Sequence, residues 1–205
     1  MLLRRRTAPR SGRGDEASMK DNRVPLAVAT VALVGAGIGV AAFASRPRLP
    51  VGNPQVPEPA KPVELKRYLG FWYEIARYEN GFERGLEGVT AEYRVRADGR
   101  IQVLNTARKG GATGRVRATE GWARVVAGSQ NAKLKVAFFG PFFLGDYWVL
   151  DHADDYAWSI VGEPTGRYLW LLSRNPYPLP RDRDAIVARA RALGYETQLI
   201  RPTEQ

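Results

Sequence analysis

His152 is the only imidazole in a chain of 205 residues, and there is no cysteine to accompany it. It follows Leu150-Asp151 and stands close to Asp154 and Asp155, a grouping that invites a metal-binding or acid–base reading. A metal would need a second nitrogen or a thiolate, and a hydrolytic centre would need a nucleophile beside the base. The sequence offers neither near His152. Zero cysteine also removes disulfides, thiolate metal sites, cysteine nucleophiles and an acylated cysteine. We therefore expect no catalysis, no metal and no cofactor. Asp154-Asp155 and Asp98-Gly99 are read as turn residues.

What remains is aromatic and apolar: five Trp, nine Tyr and seven Phe call for a large interior. The elements that would build one show a period of two. In Val89–Arg96, Val89, Ala91, Tyr93 and Val95 share one face while Thr90, Glu92, Arg94 and Arg96 share the other. Asp98-Gly99 suits a tight hairpin, and Ile101–Asn105 returns with Val103 inward. In Ala132–Phe138 the inward set is Leu134, Val136 and Phe138, with both lysines outward. Further runs are Phe71–Tyr78, Gly121–Val126, Tyr147–Leu150, Trp158–Gly162 and Tyr168–Ser173, giving eight in all. Eight short runs joined by Gly- and Asp-containing loops indicate an all-β antiparallel sandwich or a closed barrel. Asp182–Leu193 departs from this, with Ile186, Ala190 and Leu193 on one helical stripe and Gly194 as a stop. This one C-terminal helix should pack outside the sheet, and Tyr195–Ile200 suits a last short strand.

The charge of +10 is unevenly placed. Residues 1–23 carry a net +4 and form a basic, cytoplasmic n-region, whereas 24–44 carry no charge over 21 residues. At about 1.5 Å per residue that stretch just spans a ~30 Å hydrocarbon core. Two readings stay open for 24–44. Ala42-Phe43-Ala44 has the form of a signal-peptidase site, so the segment is either a cleaved signal peptide or a transmembrane anchor. Met19 is an alternative start. Residues 45–62 are a linker, with six prolines between Pro47 and Pro62, and read as an extended spacer. The folded domain is expected over 63–205. Its basic residues are dispersed among acidic ones, which does not suggest nucleic acid.

Gly70-Phe71-Trp72-Tyr73 heads the first strand and resembles the first signature of the lipocalins. Val63–Leu69 is similar to the short turn that plugs such barrels. Asp154-Asp155-Tyr156 stands where the second motif is found, with Asp154 in place of its usual threonine, and Leu171–Arg174 matches the third. Phe82–Glu87 and Phe138–Phe142 resemble segments of the bacterial outer-membrane lipocalin subgroup, which is similar to apolipoprotein D. The resemblance implies an eight-stranded antiparallel up-and-down β-barrel, closed at one end, with the helix outside. It also makes Gly70, Trp72, Tyr156 and Arg174 structural signature residues, with Arg174 packed across Trp72. A barrel of this size holds one small ligand, and the family takes hydrophobic ones; for the bacterial members these are fatty acids or lysophospholipids.

Ligand-contact candidates are then Tyr93, Val95, Val103, Leu134, Val136 and Phe138. Tyr147 and Val149 join them, and so do Glu74 and Ala76, which share the face of Trp72 by parity. Phe138–Phe143 offers four phenylalanines around a Gly-Pro turn as an apolar lip. The expected function is storage or transport of a small hydrophobic ligand in the cell envelope, in membrane stress or repair. The alternatives are a membrane-tethered interaction module without a ligand and a lipocalin-like enzyme. The bacterial subgroup usually carries a lipidated cysteine, absent here. The domain is therefore expected in the periplasm, released or anchored at the inner membrane through 24–44, and outer-membrane attachment is disfavoured. Oligomeric state is left open.

Overall fold

In the computed structural model the described residues are 49–138 and 142–205. The expectations for 1–23, 24–44 and the start of the linker concern residues outside that range. No helix among the described residues is long and apolar enough to cross a membrane.

Eight antiparallel strands follow in chain order: β1 (Gly70–Tyr78), β2 (Leu86–Val95), β3 (Ile101–Lys109), β4 (Arg115–Val125), β5 (Lys133–Ala137), β6 (Gly145–His152), β7 (Trp158–Gly162) and β8 (Leu169–Ser173). Each pairs with the next, and β1 pairs with both β8 and β2, so the sheet closes. Over the stretch where β1 meets β2, closure pairs the edges that an open sheet would leave free. The β1–β2 pairing covers only Gly70–Tyr73; above it, β9 (Ile200–Pro202) takes the edge of β1 from Ala76 to Tyr78.

One end is plugged by the short helix α1 (Leu65–Tyr68), together with the β2–β3, β4–β5 and β6–β7 turns. The opposite end, the mouth, carries the β1–β2, β3–β4, β5–β6 and β7–β8 connections. Two apolar clusters result, one on each face of the wall. The inner one contains Trp72, Tyr93, Val103, Leu134, Val149 and Leu172. The outer one joins Ile75, Ile160 and Leu171 to Ile186 and Ala190 of helix α2 (Pro180–Ala192). That helix starts two residues before the expected Asp182, because Pro180 is tolerated in its first turn, where no amide donor is needed. The last strand falls later than expected: Tyr195 is buried in the outer cluster and Thr197–Leu199 form a 3-10 turn before β9.

The linker departs from expectation. Residues 49–62 form no strand, turn at Pro54-Gln55, and lie along the barrel as a strap. Near the mouth, the amides of Gly52 and Asn53 donate to Gly166 O at 2.9 and 3.2 Å, and Asn53 Nδ2 donates to Leu193 O at 2.9 Å. Towards the plugged end, Lys61 Nζ reaches His152 O at 2.9 Å and Asp151 at 3.2 Å. Side chains, carbonyls such as Gly52 O, which accepts from the Glu196 amide at 2.9 Å, and only two strap amides carry the attachment, as expected of a proline-rich segment short of donors.

Candidate functional site

The floor of the barrel is made by the signature residues. Trp72 is fully buried, and its Nε1 donates to Tyr68 O at 2.8 Å. The Arg174 guanidinium lies 3.7 Å above the Trp72 ring and donates to Phe71 O, Arg67 O, Tyr68 O and Leu69 O at 2.6–3.0 Å. One side chain thereby satisfies the carbonyls at the end of α1. Gly70 sits at φ 90°, a conformation open to glycine. Tyr156, buried, accepts the Glu64 amide on its hydroxyl at 2.8 Å and stacks on His152 at 4.3 Å. His152 itself is packed, with its ring nitrogens beside Ala153 O and Pro62 O.

Above the floor lies a ring of phenols. Tyr147 Oη is 2.8 Å from Tyr68 Oη and 3.0 Å from Tyr93 Oη, and Ser159 Oγ lies 3.3 Å from Tyr68. Burial pushes the Tyr68 hydroxyl up to about 12 and those of Tyr93 and Tyr147 upward as well. All three stay neutral at ordinary pH and offer hydrogen bonds without charge. Val103 and Val149 are buried around them, as is Leu134. Towards the mouth, Val136, Phe138, Tyr147 and Trp170 face inward yet are only half-buried. The Phe138 ring fills the space where a side chain at Gly121 would stand.

Two candidates are corrected. Ala76 packs in the outer cluster, because β1 carries a bulge: Glu74 opposes Leu172 but Ala76 opposes Leu171. One extra residue flips the parity beyond it. Val95 is 51% exposed at the last position of β2, beyond the reach of the plug. Tyr93, Val103, Leu134, Val136, Phe138, Tyr147 and Val149 do share the interior. Of the phenylalanine lip, Phe142 is exposed and Phe143 lies under the Arg124 guanidinium at 4.9 Å. Residues 139–141 lie outside the described range.

The same bulge reveals what the alternation missed. Arg77, fully buried, turns inward and meets Glu74 Oε1 at 2.8 Å, while Thr203 Oγ1 donates to that oxygen at 2.6 Å. Arg77 Nη2 donates to Glu83 O and Leu86 O at 2.9 and 3.1 Å, fastening the β1–β2 loop across the mouth. The Glu83 side chain accepts from Trp170 Nε1 at 3.0 Å. Burial and then the Glu83 carboxylate push Glu74 up to about 8, against the pull of Arg77; burial raises Glu83 too. Nothing in the sequence announces the bulge. The spacing Glu74, Arg77, Glu83 was the one available hint.

The family description "Lipocalin-like domain" matches residues 63–205. The chain belongs to the lipocalins. Its relatives put it with the bacterial outer-membrane members: it is 42% identical over 151 residues to "Outer membrane lipoprotein Blc" of Vibrio cholerae, covering 73% of this chain and 87% of that one. "Temperature-induced lipocalin-1" of Arabidopsis thaliana is 36% identical, over 72% and 82% of the two chains. Apolipoprotein D of Rattus norvegicus is also 36% identical, over 60% and 68%. Among solved structures, the cockroach allergen Per a 4 superposes with a TM-score of 0.58 at 18% identity, over 75% and 96% of the chains, a likeness of fold alone. The bacterial relatives overturn one expectation. Close homologues are named outer-membrane lipoproteins, which conflicts with the expectation that outer-membrane attachment is disfavoured.

Proposed function

We propose that this lipocalin binds a single-chain amphipath, a fatty acid, lysophospholipid or similar molecule, in its barrel. It stores or carries that molecule in the cell envelope, where its relatives' name puts them, in membrane stress or repair. The supporting observation is the half-buried inner surface above the phenol ring. Val136, Phe138, Tyr147 and Trp170 turn apolar surface inward and stay partly exposed. Each buried CH₂ of a ligand gains about 0.8 kcal/mol there, offset by the loss of chain freedom. Tyr93, Val103, Leu134 and Val149 line the lower part, against which a tail would end. Glu74 faces the same interior but is occupied by Arg77 and Thr203, so its role is to hold the mouth, not to contact the tail. Binding is favoured over catalysis because the charged side chains at the mouth, Glu74, Arg77 and Glu83, are engaged in this structural network.

Native mass spectrometry of protein purified from cells, followed by lipid extraction, tests the reading. We expect a single-chain lipid at one per barrel, displaced by a fluorescent fatty acid. An empty barrel that also fails to bind the fluorescent acid would leave the interaction-module alternative, and a chemically altered lipid in the extract would point to an enzyme.

A further inference from the structure

The β3–β4 hairpin is the part of the wall whose inner face is least apolar. Its ladder is unbroken, so direct partners share a face all along it: Val103 with Gly121, Asn105 with Thr119, Ala107 with Arg117, Lys109 with Arg115. Val103 is buried in the inner cluster, and the face it defines runs from apolar, through neutral polar, to cationic at the mouth. The six steps from Val103 to Lys109 cover about 20 Å.

The cations at the top are unusual in two ways. Lys109, Arg115 and Arg117 are exposed and have no ion-pair partner among the described residues, whereas most other basic side chains of the wall do: Arg94, Arg100, Lys133, Lys135 and Arg201 each meet a carboxylate. Lys109 also directly opposes Arg115, and like charges opposed across a ladder are unfavourable. From Asn105 to Thr119 there is no acidic residue. The acidic side chains flanking this stretch are engaged elsewhere: Glu120 accepts from Gln102, and Glu87 meets Arg201.

We propose that the inner face of this hairpin seats the anionic head of the amphipath, with Lys109, Arg115 and Arg117 on its carboxylate or phosphate and Asn105 and Thr119 beneath, beside the linkage to the tail. The assignment rests on the proposed lipid binding and adds its selectivity. At equal tail length, an anionic head is held more tightly than a zwitterionic or neutral one. Guanidinium groups suit both anions because they donate in a planar fork. Because the three cations are exposed, the preference is also screened by salt.

The test uses lipid-stripped protein and three ligands with the same acyl chain: lysophosphatidic acid, lysophosphatidylcholine and monoacylglycerol. Affinities are read by displacement of a fluorescent fatty acid at low and high salt, for wild type and for the triple variant Lys109→Gln, Arg115→Gln, Arg117→Gln. We expect wild type to favour lysophosphatidic acid about tenfold, at low salt, over the other two. The variant should lose that preference while binding monoacylglycerol as before. Equal affinities for all three in wild type, or an equal loss for all three in the variant, would overturn the assignment and leave lipid binding intact. Inorganic phosphate binding as tightly as lysophosphatidic acid would mark a free-anion site and overturn it too. Failure of every lipid to bind wild type would defeat the barrel reading itself.

Discussion

Replacing Trp72 with alanine removes the largest side chain of the barrel floor. The indole is fully buried, touches Tyr68 at 5.2 Å between ring centroids, and carries the Arg174 guanidinium at 3.7 Å. A Trp-to-Ala change in a packed interior costs about 3–5 kcal/mol, including the cavity left behind. The cation–π contact contributes about 0.5–2 kcal/mol, some of which is already inside that range. The hydrogen bond adds little, because Tyr68 O keeps Arg174 Nη2 at 3.0 Å when Trp72 Nε1 is gone. A domain of this size melts roughly 2–4 °C lower per kcal/mol, so Trp72→Ala should lower Tm by about 6–20 °C. Trp72→Phe keeps a ring under Arg174 and most of the filling, and should lower Tm by only about 3–5 °C. Circular dichroism melts of the two variants against wild type supply the comparison. A Trp72→Ala melt within about 2 °C of wild type, or a Phe variant as unstable as the Ala one, would refute the account of the floor.

Two further outcomes follow from the mouth. The Glu74 carboxyl is raised in the folded state, so that state holds more protons than the unfolded chain between the ordinary carboxylate range and about pH 8. Stability should therefore fall as pH rises through this window, and the fall should be shallower in Glu74→Gln; urea titrations at several pH values would show parallel slopes if the reasoning is wrong. At Gly166, φ is +67° and an added Cβ would lie 1.7 Å from Asn53 O. Gly166→Ala should release the upper strap, lowering stability by about 1–3 kcal/mol and speeding proteolysis between Leu49 and Pro62; an unchanged digestion pattern would count against the strap.

The strands were legible where the interior is apolar, since alternation reports burial on one face. Tyr93, Val103, Leu134 and Val149 were found this way, and Trp72 and Arg174 by their motifs. Alternation failed where the ladder slips: the bulge in β1 sends Ala76 outward and brings Arg77 in, and no residue type marks it. It also failed where the wall turns polar inside. By alternation alone β3 stops at Asn105 and β4 starts at Gly121, whereas the two strands run on to Lys109 and from Arg115. Their inner face there is Asn105, Thr119, Arg117 and Lys109, so the pattern that announces a strand is missing. Val95 failed for a simpler reason, since a strand end can keep the right parity and still emerge into solvent.

The strap also decides how the protein responds to force. Tension applied from the N-terminal side reaches the barrel beside the mouth, where Leu49 O meets Arg167 and the Gly52 and Asn53 amides meet Gly166. Those contacts are loaded first and give way in succession, as in peeling, before any load arrives at Lys61 and Val63 by the floor. A modest pull thus lengthens the chain at its upstream end by unfastening the strap, while the hydrogen bonds of the closed ladder stay in place.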